Sequence, residues 1–163
     1  MKGTLKPFDS SDYEKYDKKG KVAFLNYLNN NFPEFKNIEN PNKFGIDILS
    51  LDSNNEVVYC WEIEVRYGNW KGNTNFQFKD INCIERKDYL WKKDKKFVYN
   101  VPFFVKDACK VYYVQLNDLC SKAVIIDGNI ILNFPLIPWK NRKAEGEFVR
   151  QVPINLTNQI SLV

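Results

Sequence analysis

The chain has 163 residues, about the length of one ordinary domain. Hydrophobic residues at 44% and aromatics at 15% exclude a disordered tail, and charged residues at 27%, with no apolar run near ~18 residues, exclude a membrane-spanning helix. Histidine is absent, which excludes Ser–His and Cys–His pairs and imidazole metal or acid–base chemistry, and 24 Lys+Arg against 20 Asp+Glu leave a net charge of +4.

The first residues, Met1-Lys2-Gly3-Thr4-Leu5-Lys6-Pro7, lack the apolar stretch of a secretory signal, so the expectation is an intracellular protein. A helix is predicted from Ser11 to Asn30. Ser11-Asp12-Tyr13-Glu14 fits a capping box, and Tyr13, Tyr16, Gly20, Phe24 and Tyr27 recur at helical spacing. Two strands follow, Phe44–Leu51 and Glu56–Tyr67, joined by the turn-rich Asp52-Ser53-Asn54-Asn55. Further strands are predicted near Phe76–Ile84, Val101–Lys106 and Lys110–Leu116, with a short basic helix around Arg86–Lys96. A hairpin, Ala123–Asp127 with Asn129–Asn133, is read from the Asp127-Gly128 turn signal. The tail from Pro135 is irregular and basic, with an edge strand near Phe148–Pro153. With no repeat or linker, the pattern gives one domain over residues 1–163, of mixed α/β (α+β) class. Its core is placed at 11–116, with a C-terminal hairpin and basic tail at 117–163. Cys60, Cys83, Cys109 and Cys120 lack zinc-clamp spacing and sit among apolar neighbours, so they read as reduced core thiols.

The chemistry concentrates in Gly45-Ile46-Asp47 and Trp61-Glu62-Ile63-Glu64-Val65-Arg66. If the turn closes an antiparallel hairpin pairing Leu51 with Glu56, Asp47 faces Cys60 with Glu62 on its diagonal. Alternation then puts Glu62, Glu64 and Arg66 on the Asp47 face, while Phe44, Ile46, Ile48, Val57, Tyr59, Trp61, Ile63 and Val65 turn to a core. Val57–Trp61 is apolar at every position, the mark of a buried central strand. Two like charges at about 5 Å cost roughly 3 kcal/mol at an effective dielectric near 20, so acids gathered there call for a cation. A hard divalent ion with oxygen ligands suits them. A wet, half-exposed strand with modest surface ion pairs is the bland alternative.

A helix, a Gly-Ile-Asp strand and an apolar strand ending Glu-Ile-Glu-Val-Arg together resemble the core of the restriction-endonuclease-like, or PD-(D/E)XK, nuclease superfamily. The resemblance covers roughly Ser11 to Lys96. It implies a central mixed sheet flanked by helices, and a Mg²⁺-dependent endodeoxyribonuclease in which Mn²⁺ substitutes. Asp47 matches the first acid of the superfamily motif, and Glu62-Ile63-Glu64 matches its Glu-x-Lys with Glu64 in place of the lysine. Shifting by two matches Glu64-Val65-Arg66 instead, but arginine is no base. A lysine from elsewhere, Lys79 or Lys87, is a third way to fill the role. Glu14 or Asp17 corresponds to an acid that many members carry on the first helix.

On this resemblance Asp47, Glu62, Glu64 and the Ile63 carbonyl hold one or two metal ions, and Arg66 and Lys87 contact the phosphate. Arg86, Lys87, Lys92, Lys93, Lys95 and Lys96 steer the DNA backbone, as a basic segment interleaved with Tyr89, Trp91, Phe97 and Tyr99 would. The expected partner is double-stranded or branched DNA, met by a homodimer built on Phe134 and Trp139. Abundant Asn and Lys point to a phage or mobile-element (homing-type) origin. Two other functions remain open: an inactive nucleic-acid- or protein-binding module on the same fold, and a junction-resolving nuclease.

Overall fold

In the computed structural model, which describes residues 11, 13–140 and 146–163, a π-helical turn, Tyr13–Asp17, leads directly into helix α1 (Lys18–Asn31). The predicted spacing holds: Gly20, Phe24 and Leu28 form the buried stripe of α1. Gly20 is demanded by close approach, because a Cβ there would stand 2.6 Å from Val65 Cγ2. Phe24 and Leu28 are almost wholly buried, and each contributes about 1.5–3 kcal/mol over an exposed position. The predicted capping box depends on Asp12 and the Glu14 side chain, which lie outside the described residues.

Among the described residues nine strands follow: β1 (Lys36–Glu39), β2 (Ile48–Leu51), β3 (Val57–Val65), β4 (Asp80–Ile84), β5 (Val105–Leu116), β6 (Lys122–Asp127), β7 (Leu136–Pro138), β8 (Phe148–Pro153) and β9 (Asn158–Ser161). Six form a mixed sheet in the order β1-β2-β3-β5-β6-β9, and three form a second sheet, β4-β8-β7. Only the central pair β3 and β5 runs parallel. A parallel pair needs a long crossover, and residues 66–104 supply it, carrying β4 on the way.

Both faces of the central sheet are covered, which is why β3 is apolar at nearly every position. On one face α1 packs Phe24 and Leu28 onto Ile48, Trp61, Ile63, Val65, Val114 and Leu116. On the other, Leu49, Cys60, Tyr113 and Ile126 meet Ile81, Cys83 and Val152 of the second sheet, with Leu90, Trp91 and Phe97 filling between. The mixed α+β class and central mixed sheet therefore agree with the sequence. Helices flanking both faces do not: the second cover is a sheet.

Several predicted elements are corrected. The basic segment is no helix but two 3₁₀ turns, Glu85–Leu90 and Lys96–Asn100. The strands near Val101–Lys106 and Lys110–Leu116 are one strand, β5. Asp127-Gly128 does not close a hairpin. Asp127 instead caps a single turn, α2 (Gly128–Ile131), by accepting from the Asn129 N–H at 2.9 Å. The Phe148–Pro153 strand exists as β8 but is the middle of its sheet rather than an edge. Phe134 and Trp139, the expected dimer aromatics, are half-buried, Phe134 against the shared core. All four cysteines are free and buried, as read, with Cys60 and Cys109 sulfurs 3.8 Å apart. No helix among the described residues is long and apolar enough to cross a membrane.

Candidate active site

The register differs from the predicted one. Ile48 pairs with Trp61 and Leu49 with Cys60, because Leu51 pairs with Val57 rather than Glu56 and the bulge at Ser50/Leu51 adds one residue more. Continuing that register, Asp47 falls opposite Glu62 instead of Cys60. Asp47 precedes β2, and its Oδ2 accepts the Ile63 N–H at 2.8 Å, taking a ladder position that a further β2 carbonyl would fill. The side-chain alternation also needs correcting at Ile46 and Val57, which join the core shared with the second sheet while Ile48 packs under α1, and at Phe44, which is exposed.

Around Asp47 the structure gathers groups from five elements. Lys21 of α1 reaches Asp47 Oδ1 at 2.7 Å. Lys87, from the 3₁₀ turn after β4, lies 2.6 Å from Glu62 Oε1 and 4.0 Å from Glu64 Oε2. Tyr113 of β5 donates its hydroxyl to Glu64 Oε2, and Lys87 Nζ sits 5.3 Å from the centre of the same ring. Asp17, at the end of the π turn, feels Asp47 and Glu64 strongly enough for its carboxyl to be raised, although burial is the larger cause. Of the two first-helix acids weighed from sequence, Asp17 is thus beside the site. Of the two migrated lysines, Lys87 is the one among the acids, while Lys79 is exposed.

Charge explains the electrostatics. Four carboxylates (Asp17, Asp47, Glu62, Glu64) face two ammonium groups (Lys21, Lys87). Burial pushes the Glu62 carboxyl up to about 7; repulsion from Asp47 and Glu64 adds to it and Lys87 only partly offsets it. Burial alone would lower the Lys87 ammonium, but Glu62, Glu64 and Asp47 together hold it above its ordinary value. The two shifts share a cause, an excess of negative charge.

Arg66 stands apart from the place expected of a phosphate contact. It donates Nη1 to Gln115 Oε1 and Nε to Asn69 Oδ1, each at 2.9 Å, and lies 5.3 Å from the Phe76 ring centre. Gln115 in turn donates to the Asn82 carbonyl at 2.9 Å, tying β5 to β4. Of the expected backbone contacts, Lys92 and Lys93 are exposed, and Arg86 and Lys96 are exposed beside Glu147 and Asp94. Lys95 is turned aside, its ammonium donating to the Asp107 carbonyl. Lys87 is half-buried among the acids rather than on the basic face. Arg150, in the basic tail, is half-buried and paired with Asp88, while residues 141–145 lie outside the described residues.

Lys21, Tyr113 and Gln115 were not singled out from sequence. Tyr113 and Gln115 carry a readable signal: they alternate on β5 and stand in parallel register with Glu62 and Glu64. Lys21 carries none, being one of several lysines on an amphipathic helix. Among the described residues, no three His, Cys, Asp or Glu side chains stand close enough to form a ready metal cage. No family model, no curated protein and no solved structure matches this chain.

Proposed function

We propose that the chain is a metal-dependent endonuclease that hydrolyses DNA phosphodiesters at Asp47, Glu62, Glu64 and Lys87. The observation that carries this reading is the position of Lys87. The acid strand lacks the lysine that such a nuclease needs, and a separate element brings one within 2.6 Å of Glu62.

The donor set fits a hard divalent ion. Every candidate ligand is oxygen (Asp47, Glu62, Glu64 and the Ile63 carbonyl), and the carboxylates outnumber the ammonium groups by two, or by one once Arg66 beside Glu64 is counted. When bound there, Mg²⁺ or Mn²⁺ supplies Lewis-acid stabilisation of the phosphate and an acidified water. The chain's own groups do the rest. Lys87 gives a cation that can move from Glu62 to a phosphate oxygen. Tyr113, kept protonated by burial and Glu64, fixes the Glu64 carboxylate by donating to it. The Ile63 N–H holds the Asp47 oxygen that Lys21 does not. Arg66 acts as a positioning residue through Gln115. Lys21 stands on Asp47 Oδ1 and must yield it to an ion, which favours a second reading: a binding module on the same fold, with lysines in place of metal. An intracellular setting suits either reading. Cutting both strands of a duplex with one site per chain calls for two copies, so a homodimer belongs to the duplex-cutting form of the proposal.

Supercoiled plasmid incubated with Mg²⁺ or Mn²⁺, beside the Asp47→Asn variant, decides between them. Nicking by the wild type that falls at least 100-fold in Asp47→Asn and in Lys87→Ala, with folding retained, supports the nuclease. No nicking with either ion leaves the binding module. A four-way junction as parallel substrate separates a junction-resolving enzyme from one acting on plain duplex.

A further inference from the structure

Of the four aromatics interleaved with the basic segment, two are core and two are not: Trp91 and Phe97 are buried, while Tyr89 is 44% exposed and Tyr99 88%. Phe44, in the loop before Asp47, is 89% exposed. A bare phenyl ring at that exposure has no packing role in the fold, since core aromatics here are nearly sealed from water.

Phe44 and Tyr99 are 55 positions apart in the chain, yet the loops that carry them are tied together. Asn42 donates Nδ2 to Asn100 Oδ1 at 3.3 Å, and Asn40 donates Nδ2 to the Asn100 carbonyl at 3.2 Å. Gly45 presses so close that a Cβ would meet the Asn100 carbonyl oxygen at 2.8 Å. With consecutive Cα atoms ~3.8 Å apart, these contacts keep the Phe44 and Tyr99 Cα atoms within roughly 14 Å of each other. About four stacked nucleotides, at ~3.4 Å each, cover that distance. Charge matches the same occupant: exposed Lys43 adjoins Phe44, and Lys92, Lys93 and Lys96 are exposed on the segment that ends in Tyr99. Phe44 lies three positions before Asp47, and Tyr89 is near enough to Glu62 and Asp47 to feel both charges.

We infer that Phe44 and Tyr99 form a stacking platform for unpaired bases, so that the strand presented to the acids is single-stranded DNA. Stacking needs open base faces, which a duplex interior does not offer, and it tolerates any sequence. The local elements argue the same way. The basic segment consists of 3₁₀ turns of six and five residues, too short to lie in a major groove as a reading helix does. The inference rests on the nuclease reading for its purpose but is tested without catalysis.

Fluorescence anisotropy of a labelled 16-nucleotide oligodeoxythymidine, with EDTA present, reads binding alone. Wild type should bind it more tightly than a blunt duplex of equal length. Phe44→Ala and Tyr99→Ala should each weaken it about tenfold or more, while Tyr99→Phe keeps the ring and the affinity. Both side chains are solvent-exposed, so the melting temperature should not move. Equal binding by the alanine variants, or a preference for the blunt duplex, overturns the inference. If a single-stranded oligodeoxynucleotide is not cut with Mg²⁺ or Mn²⁺ while the ring dependence holds, the nuclease reading falls and the platform stands.

Discussion

Glu62 is a carboxylate whose ordinary value near 4.5 becomes about 7 in the folded chain. Burial is the main cause, and the Asp47 and Glu64 charges add to it. A folded value above the unfolded one means that the proton favours folding. The stabilisation is therefore complete below about pH 4.5 and lost as pH rises through about 7. At 1.36 kcal/mol per unit this amounts to about 3 kcal/mol. Metal-free wild type should lose that much against Glu62→Gln between pH 5 and pH 8 in urea titrations. Lys87 does not blur the comparison, because its raised value puts its own loss above 10.5. Parallel pH curves for the two proteins would remove the excess-charge account of the site. The acids themselves were legible from the strand alternation at Glu62 and Glu64. Of their counter-charges, Lys87 was among the lysines weighed from the resemblance, but Lys21 was not, because it sits 26 residues before Asp47 and meets it only through tertiary packing. Two short-range irregularities, the pairing of Leu51 with Val57 instead of Glu56 and the bulge at Ser50/Leu51, together moved Asp47 from facing Cys60 to facing Glu62.

The segment that delivers Lys87 is anchored by an ion pair rather than by a regular helix. Asp88, next in the chain, is 7% exposed and accepts from Arg150 of β8, Nε at 3.2 Å to Oδ1 and Nη2 at 2.9 Å to Oδ2. Arg150 also donates to the Phe134 carbonyl, so one guanidinium joins the 3₁₀ turn, β8 and the approach to β7. Removing one partner of a buried pair leaves an uncompensated charge and costs about 3–5 kcal/mol. Arg150→Met should show that loss in urea denaturation, and the double change Asp88→Leu with Arg150→Met should recover most of it. A cost below about 1 kcal/mol for Arg150→Met would mean that the turn is held by packing alone. The elements legible in the sequence are α1, β3, β6 and β8, whereas β5 was read as two strands. β1, β7 and β9 are three or four residues long, too short for alternation to register, and exist because longer neighbours offer them an edge. Asp127-Gly128 misled because the same pair serves a hairpin turn and a helix N-cap equally well.

At the scale of the whole molecule, the chain alternates between its two sheets: β3 in the first, β4 in the second, β5 and β6 back in the first, β7 and β8 in the second, β9 again in the first. Neither sheet is a contiguous piece of chain, so neither can detach without undoing the other's strand order. The core between them is common property, built from Cys60, Tyr113 and Ile126 on one side and Ile81, Cys83 and Val152 on the other. The α1 face is separate in contacts, but it shares β3 and β5 with that core. Loss of one layer therefore exposes a face of the strands on which the other depends, and unfolding should be a single step. Phe24→Ala opens the α1 layer at a cost of about 3–5 kcal/mol, and Ile81→Ala opens the second-sheet layer at about 2–5 kcal/mol. In urea each should move one shared midpoint with an unchanged slope, and far-ultraviolet circular dichroism and tryptophan fluorescence should superimpose. Tryptophans report on both layers, Trp61 under α1 and Trp91 between the sheets. A plateau in either variant, with fluorescence changing before the dichroism, would show that the second sheet is a detachable cover and the six-stranded sheet with α1 the stable unit.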